Sequence, residues 1–217
     1  MIYEFDIAHA YLFGDVLAQM HRLRHEQYVV QAGWDVPTHD GMEFDQYDTL
    51  RARYLVGIDP ADGKVRAAQR NLLCDGPYMM KELWPELVAP GRKMPADASW
   101  AEGTRVGIDQ SLPPAAHDRW RNSLTLANLE WGLARGCTHI TWVTYEYMVD
   151  KVLRPIGYPV ELWGEPVAFR DGRYVAGYWK VTPELLANMR ERMGIHRPQL
   201  VTLEETLAKG AQVAARA

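Results

Sequence analysis

A long stretch with helical spacing that runs directly into a short β-branched stretch narrows the fold more than any other feature of this chain. After Pro113 and Pro114, the apolar residues Trp120, Leu124, Ala127, Leu129 and Trp131 to Leu133 follow the helical period up to Gly136, which supplies a C-terminal cap. His139 to Thr144 (HITWVT) then sets β-branched and aromatic residues at strand spacing. Ala101 to Ile108, upstream of the helix, reads as a further strand. Strand, helix and strand in that order predict a βαβ-like crossover, and so a sheet with a helix laid across it.

The other segments fit the same plan. Leu12, Val16, Met20 and Leu23 predict an amphipathic helix over Ala10 to Tyr28, with Arg24 near its end. Gln31 to Asp48, with Gly33, Pro37, Gly41 and a cluster of acids, predicts a long loop on the surface or over a site. Arg53 to Asp59 and Lys64 to Leu72 flank Pro60-Ala-Asp-Gly63 and predict a β-hairpin with Arg70 on its second strand. Tyr78 to Leu87 predicts a short helix, followed by a linker from Ala89 to Ala98. Met148 to Arg154 returns to helix until Pro155 and Gly157 stop it. Val160 to Val167 and Tyr174 to Val181 predict strands joined at Asp171-Gly172, and the tail from Pro183 is helical. The expectation is one mixed α/β domain over 1–217 with a central sheet between helices. It comprises an amino-terminal helix and lid loop (1–50), a sheet core (51–182) and a helical tail (183–217).

Composition removes several function classes. With 217 residues, 47% of them hydrophobic, the chain can bury a core without a disulfide or metal staple. A net charge of -4 gives no basic excess for nucleic acid. Cys74 and Cys137 lie outside any CxxC spacing, so neither a zinc knuckle nor a disulfide is expected, and a reducing cytoplasm fits. Met1 to His9 lacks the basic region of an export signal, and no apolar run is long enough to span a membrane.

Chemistry concentrates in two places. Glu43-Phe-Asp-Gln-Tyr-Asp48 puts three carboxylates within six residues, which repel one another unless cations arrive from elsewhere in the fold. Arg24, Arg70 and Arg105 are the candidates, because a guanidinium stays charged and can grip a carboxylate with two N–H groups. A solvated acidic loop is the plainer reading. The second place is Glu102-Gly-Thr-Arg105. A spacing of three on a regular strand puts Glu102 and Arg105 on opposite faces, while a bulge would rotate one of them. Glu102 is a candidate general base for an amine, directly or through water, with a Glu-Arg ion pair as the structural alternative. His21 and His25 lack the carboxylate a zinc pair needs, so no metal is expected, and no GxSxG, GxxxxGK[ST] or GxGxxG occurs. Trp131, Trp142, Tyr145, Tyr147 and Trp163 read as core aromatics that could also line a site.

Set in order, these residues form a pattern. Arg24, Tyr28 and Trp34 stand four and six apart, and Glu43, Asp45 and Asp48 follow as Glu-x-Asp-x-x-Asp. Arg70 precedes Gly76-Pro-Tyr-Met79 and then Trp84-Pro-Glu-Leu87, and Glu102-x-Thr-Arg105 closes the series. The pattern resembles that of the acyl-homoserine-lactone synthases, the autoinducer synthases of bacterial quorum sensing. It departs from the family in Tyr28 for a usual Phe, Thr104 for Ser, Val106 for Phe, and in the segment Asn71 to Asp75.

The resemblance implies an α/β/α sandwich similar to the GCN5-related N-acetyltransferases, whose mixed central sheet has a V-shaped split for the pantetheine arm of the donor. The implied reaction acylates the amine of S-adenosylmethionine from an acyl thioester, then closes the lactone as the carboxylate displaces methylthioadenosine. S-adenosylmethionine is then a substrate, and no prosthetic group is needed. In that reading Glu102 takes the amine proton, and Arg24, Asp45, Asp48, Arg70 and Arg105 form a charge network that fixes the lid and orients the substrate. Tyr28 and Trp34 offer ring faces to adenine or the sulfonium. Trp142, Thr144, Tyr145 and Tyr147 fall where the acyl pocket is expected. The donor is an acyl carrier protein, for which Lys151 and Arg154 would supply positive charge, or acyl-CoA. Two rivals remain at this point: a GCN5-related acyl-CoA N-acyltransferase acting on another amine, and a non-catalytic sensor of S-adenosylmethionine or acyl thioesters.

Overall fold

Extended, β-branched segments settle into strands wherever their side chains can be covered, and in this chain most of them pair into one sheet. The structure, a computed structural model, describes residues 1–214. The chain begins with β1 (Ile2–Phe5), a 3-10 turn (Ile7–Phe13) and α1 (Val16–Arg24), which runs on as a π-helical stretch (His25–Gln31). A small ribbon, β2 (Thr38–His39) and β3 (Met42–Glu43), leads to β4 (Arg53–Ile58) and β5 (Val65–Leu73). Next come α2 (Met79–Leu83), β6 (Trp100–Ile108), α3 (Pro114–Ala134) and β7 (His139–Tyr145). A helical stretch follows, formed by α4 (Glu146–Met148), a π turn (Val149–Leu153) and α5 (Arg154–Ile156). The remainder is β8 (Glu161–Leu162), β9 (Val167–Phe169), β10 (Gly172–Lys180), α6 (Pro183–Met193), β11 (Leu200–Val201) and α7 (Leu203–Ala214).

Among the described residues the main sheet has the order β11-β1-β4-β5-β6-β7-β10-β8, with β9 also on β10. It is mixed. β1 runs antiparallel to β4 and parallel to β11, while β6 runs parallel to β7 across α3, which is the expected crossover. Tyr54, Leu55 and Val56 are consecutive and fully buried, so both faces of β4 are covered, as an α/β/α layering requires. The β6–β7 register covers only Trp100 to Glu102 against His139 to Thr141, although the strands are nine and seven residues long.

Contacts divide the chain into two compact units: residues 1–70, 105–131 and 198–217, and residues 71–104 and 132–197. In the first unit, Phe5 and Tyr54 pack their rings 5.6 Å apart, and Phe13 of the 3-10 turn lies 5.1 Å from Phe5. Trp131 of α3 donates its indole N–H to the fully buried Glu4 at 2.9 Å. In the second unit, β7 and β10 pair continuously from Tyr145–Tyr174 to His139–Lys180. Gly177 is required there, because a Cβ would stand 2.3 Å from the Trp142 ring.

Four expectations need correction. The helix over Ala10 to Tyr28 is three pieces: Asp6 caps the 3-10 turn through the His9 N–H, so Leu12 falls outside α1 and is 40% exposed. The loop from Gln31 to Asp48 carries the β2–β3 ribbon and buries Glu43 and Tyr47. The strand over Val160 to Val167 is broken into β8 and β9, since the Trp163 carbonyl accepts from Ala89 N–H and Pro166 has no N–H to donate. The tail is not wholly helical: Glu130 accepts from Gln199 N–H and Leu200 N–H, and β11 joins β1. Residues 215–217 of that tail lie outside the described residues.

Candidate active site

The acidic segment is folded inward rather than solvated. Asp48 Oδ2 accepts from Asp45 N–H and Asp45 Oδ1 from Tyr47 N–H, each at 2.9 Å, so the Asp-x-x-Asp spacing makes a turn that turns both carboxylates to one side. Arg24, at the end of α1, donates Nε to Glu43 Oε2 at 2.6 Å and its two Nη groups to the two oxygens of Asp48 at 2.8 and 2.9 Å. Arg70, on β5, grips Asp45 with both Nη groups at 2.5 and 3.0 Å, and its Nη1 also lies 2.9 Å from Asp48. Arg105, on β6, donates Nε to Glu43 Oε1 at 3.1 Å and sets Nη2 2.8 Å from Asp45 Oδ2. Followed round, Arg24, Glu43, Arg105, Asp45, Arg70 and Asp48 form a closed ring of alternating charge. Three guanidiniums balance three carboxylates, and Glu43 has no exposed surface at all.

Burial and pairing oppose one another here. Desolvation alone would pull the Arg24 and Arg70 guanidiniums down and push the Asp45 and Asp48 carboxyls up. The hydrogen bonds and charges across the ring win: both arginines are held above their ordinary range and both aspartates below theirs. All four therefore stay ionised. Tyr54 donates its hydroxyl to Asp48 at 2.9 Å, and burial with the Asp48 charge raises that phenol. His21 Nδ1 lies 2.7 Å from the Glu43 carbonyl, and burial together with Arg24 lowers its pKa.

Arg105 reaches the ring through its backbone. Its φ is +52°, a left-handed conformation that a side chain rarely takes within a strand, so the rotation raised as a possibility for the Glu102–Arg105 segment falls on Arg105. The guanidinium lies 5.4 Å from the Tyr28 ring centre and 5.9 Å from that of Trp34. Gly33, at φ +68°, turns the chain after the π-helical stretch and brings Trp34 back onto Tyr28, where the rings stack at 4.8 Å and 19°. Tyr28 donates its hydroxyl to the Val106 carbonyl at 2.7 Å, and burial holds that phenol up at about 12. Gln27 occupies the β6 edge beside it, donating to Val106 O and accepting from Ile108 N–H.

In the second unit, Glu102 is fully buried and meets the start of α2. Its Oε2 accepts from Met79 N–H at 2.7 Å and its Oε1 from Met80 N–H at 2.6 Å, which gives the Gly-Pro-Tyr-Met segment a physical purpose. Thr141 pairs with Glu102 in register. Its hydroxyl lies 3.4 Å from the Met80 sulfur, donates to Gly177 O at 2.9 Å and accepts the Trp163 indole N–H at 2.9 Å.

The four residues expected at the acyl pocket are not gathered on one side. Strand alternation puts Trp142 and Thr144 on one face of β7 and Tyr145 on the other. Trp142 stacks on Trp179 at 5.7 Å, whereas Tyr145 stacks on Tyr147 at 5.5 Å and meets Tyr174 at 4.5 Å. Arg154 is paired with Asp150, and Lys151 lies 5.6 Å from the Tyr147 ring centre. No group of His, Cys, Asp and Glu side chains among the described residues could hold a metal ion.

Sequence reasoning placed Glu43 in the acidic run without a role of its own, and it missed Tyr54, His21, Gln27 and the Met79 and Met80 amides. Glu43 had a signal, since an odd third carboxylate matches the third arginine. The amides had none, because every residue except proline carries one.

The model of the autoinducer synthase family matches residues 9–187. An acyl-homoserine-lactone synthase of Rhizobium radiobacter is 34% identical over 166 residues, covering 75% of this chain and 77% of the relative. The structure of a CoA-dependent acyl-homoserine lactone synthase, MesI, superposes with a TM-score of 0.78 at 26% identity over 93% of this chain and 99% of the other. That of BjaI, a CoA-dependent synthase solved with MTA, gives 0.83 over 98% and 99% at 23% identity, a likeness of fold alone. The fold is shared more distantly by an N-acetyltransferase of Lactobacillus plantarum, at a TM-score of 0.52 and 18% identity. With most of its length matched, the chain belongs to the autoinducer synthase family.

Proposed function

We propose that this chain is an acyl-homoserine-lactone synthase that joins an acyl thioester to S-adenosylmethionine. The amine of S-adenosylmethionine is cationic at neutral pH, and Glu102 takes its proton, directly or through a water. The freed nitrogen attacks the thioester carbonyl and the thiol departs. The methionine carboxylate then displaces methylthioadenosine from the γ-carbon and closes the lactone. No covalent acyl-enzyme is needed.

The observation that supports this best is the closed ring of Arg24, Glu43, Arg105, Asp45, Arg70 and Asp48. Its members already satisfy one another, so its contribution is orientation: it fastens the 31–48 segment to α1, β5 and β6. Tyr28 and Trp34 add ring faces suited to adenine or a sulfonium. Acyl-CoA is the first donor to test, because Arg154 is paired with Asp150 and so contributes little free charge for an acidic carrier protein. We read 1–217 as one synthase domain with a lid in 1–50, placed in the cytoplasm. No helix among the described residues is long and apolar enough to cross a membrane.

The test is incubation with S-adenosylmethionine and a panel of acyl-CoA and acyl-carrier donors, following methylthioadenosine and lactone by mass spectrometry. Equal amounts of both with one donor support the synthase. Acylation of an amine without methylthioadenosine moves the reading to a plain N-acyltransferase.

A further inference from the structure

At the edge of β6, Gln27 does what a neighbouring strand does elsewhere in the sheet. Its carboxamide donates Nε2–H to the Val106 carbonyl at 3.0 Å and accepts the Ile108 N–H on Oε1 at 3.2 Å. Bonds to the carbonyl before Gly107 and to the N–H after it are those that one residue of a parallel strand makes to its neighbour. A side chain thus satisfies backbone groups that a strand edge would otherwise leave to water. Gly107 permits the approach, because a Cβ there would stand 3.0 Å from Gln27 Oε1.

This clip falls directly after the strained residue of the strand. Arg105 holds φ +52° within β6, a conformation that persists only where its surroundings over-determine it. Its guanidinium is tied to Glu43 and Asp45. The carbonyl of the next residue, Val106, takes two donors from adjacent residues: Gln27 and, at 2.7 Å, the Tyr28 hydroxyl. Both donors belong to the π-helical stretch His25–Gln31, a helix form that recurs at functional sites. Tyr28 in turn stacks on Trp34, and the Arg105 guanidinium lies beside both rings. One carbonyl therefore joins the backbone that aims Arg105 to the helix that presents the ring faces.

We propose that Gln27 is a positioning residue for S-adenosylmethionine: by clipping Val106 and Ile108 it fixes the turn at Arg105, and with it the seat of Tyr28 and Trp34. This rests on the synthase reading given above. Gln27 acts through Val106 and not on the reacting atoms, so its loss weakens the fit of one substrate and leaves the chemical step in place.

The test is steady-state lactone formation by two variants. Gln27→Met keeps the length of the side chain and removes both hydrogen bonds, while Gly107→Ala displaces the carboxamide from the strand side. In each, KM for S-adenosylmethionine should rise about fivefold or more, with kcat and the KM of the acyl donor changed by less than about twofold. Adding Tyr28→Phe to Gln27→Met should raise that KM by more than the product of the single effects, since the two donors share one acceptor. A KM for S-adenosylmethionine unchanged in both single variants overturns the inference. So does a fall in kcat with both KM values unmoved, which is what loss of folded enzyme produces. Gly107→Ala adds one methyl group and decides where Gln27→Met fails to fold. Absence of lactone from the unmodified protein instead overturns the synthase reading beneath; the dissociation constant of S-adenosylmethionine, by calorimetry, then reads the same shift of about fivefold.

Discussion

Glu43 presents Oε2 to Arg24 Nε at 2.6 Å, and this bond closes a ring whose members come from α1, the 31–48 segment, β5 and β6. A ring with no exposed member to spare behaves as a unit, because removing one charge leaves two opposite charges short of a partner.

Replacing Glu43 with Gln keeps its shape and removes its charge, leaving Arg24 and Arg105 each under-compensated. The expected loss of unfolding free energy is about 3–5 kcal/mol, the usual cost of breaking a buried pair from one side. Denaturant titration measures it, and a loss below about 1 kcal/mol, typical of surface pairs, would contradict the burial argument.

Arg105→Lys keeps a positive charge but loses the fork that spans Glu43 and Asp45. Stability should fall by about 1–3 kcal/mol, the cost of unsatisfied buried acceptors, and Tyr28 and Trp34 should lose the cation beside them. Their combined fluorescence and a thermal melt read the two effects, and an unchanged melt would show that the left-handed backbone at Arg105 is not held by its side chain.

Stability should fall in two steps on acidification. His21 is lowered from 6.5 in the folded state, so its contribution is present above that value and is lost as pH falls from 6.5 through the folded pKa. Asp45 and Asp48 are lowered from 3.8, so theirs is present above 3.8 and is lost only below it. Unfolding at a series of pH values should show the first slope in the unmodified chain and not in His21→Gln. Equal slopes in the two proteins would remove His21 as the cause.

Glu102→Gln should cut kcat/KM by about 10²–10⁴, the range for losing a general base, with S-adenosylmethionine binding retained by calorimetry. Parallel loss of binding and turnover would instead point to a structural role, since a glutamine can accept from only one of the Met79 and Met80 amides while its own N–H faces the other.

The Thr141 hydroxyl touches the Met80 sulfur, and the Met80 N–H binds Glu102, so Thr141 is expected to steady Glu102 through α2. Thr141→Val removes the hydroxyl that links Met80, Gly177 and Trp163, so α2 should hold the carboxylate less firmly. We expect kcat to fall about tenfold with KM little changed, a shifted acidic limb in the pH–rate profile, and rescue by Thr141→Ser. Equal failure of the serine variant would mean that packing, not the hydroxyl, is what matters.

The candidate ring shows how far local order reaches. Sequence by itself determined the α/β alternation, the crossover from β6 through α3 to β7, and the residue types of the acidic run with its arginine partners, because period and charge are local properties. It could not decide which carboxylate meets which guanidinium. Arg24 and Glu43 are 19 residues apart and Arg105 and Glu43 are 62, and only the packed chain sets those distances. Tertiary structure alone also decided that Arg105 takes a left-handed backbone inside a strand, that Pro166 and the Ala89 bond break one expected strand in two, and that two carboxylates on α3 and β1 receive the β11–α7 backbone. Apart from Pro166, whose missing N–H is a local property, each of these is a long-range partner overriding a local preference. The division of Trp142 from Tyr145 across β7 is the intermediate case: alternation dictates it from sequence, but the register against β10 and the room at Gly177 determine what each ring touches.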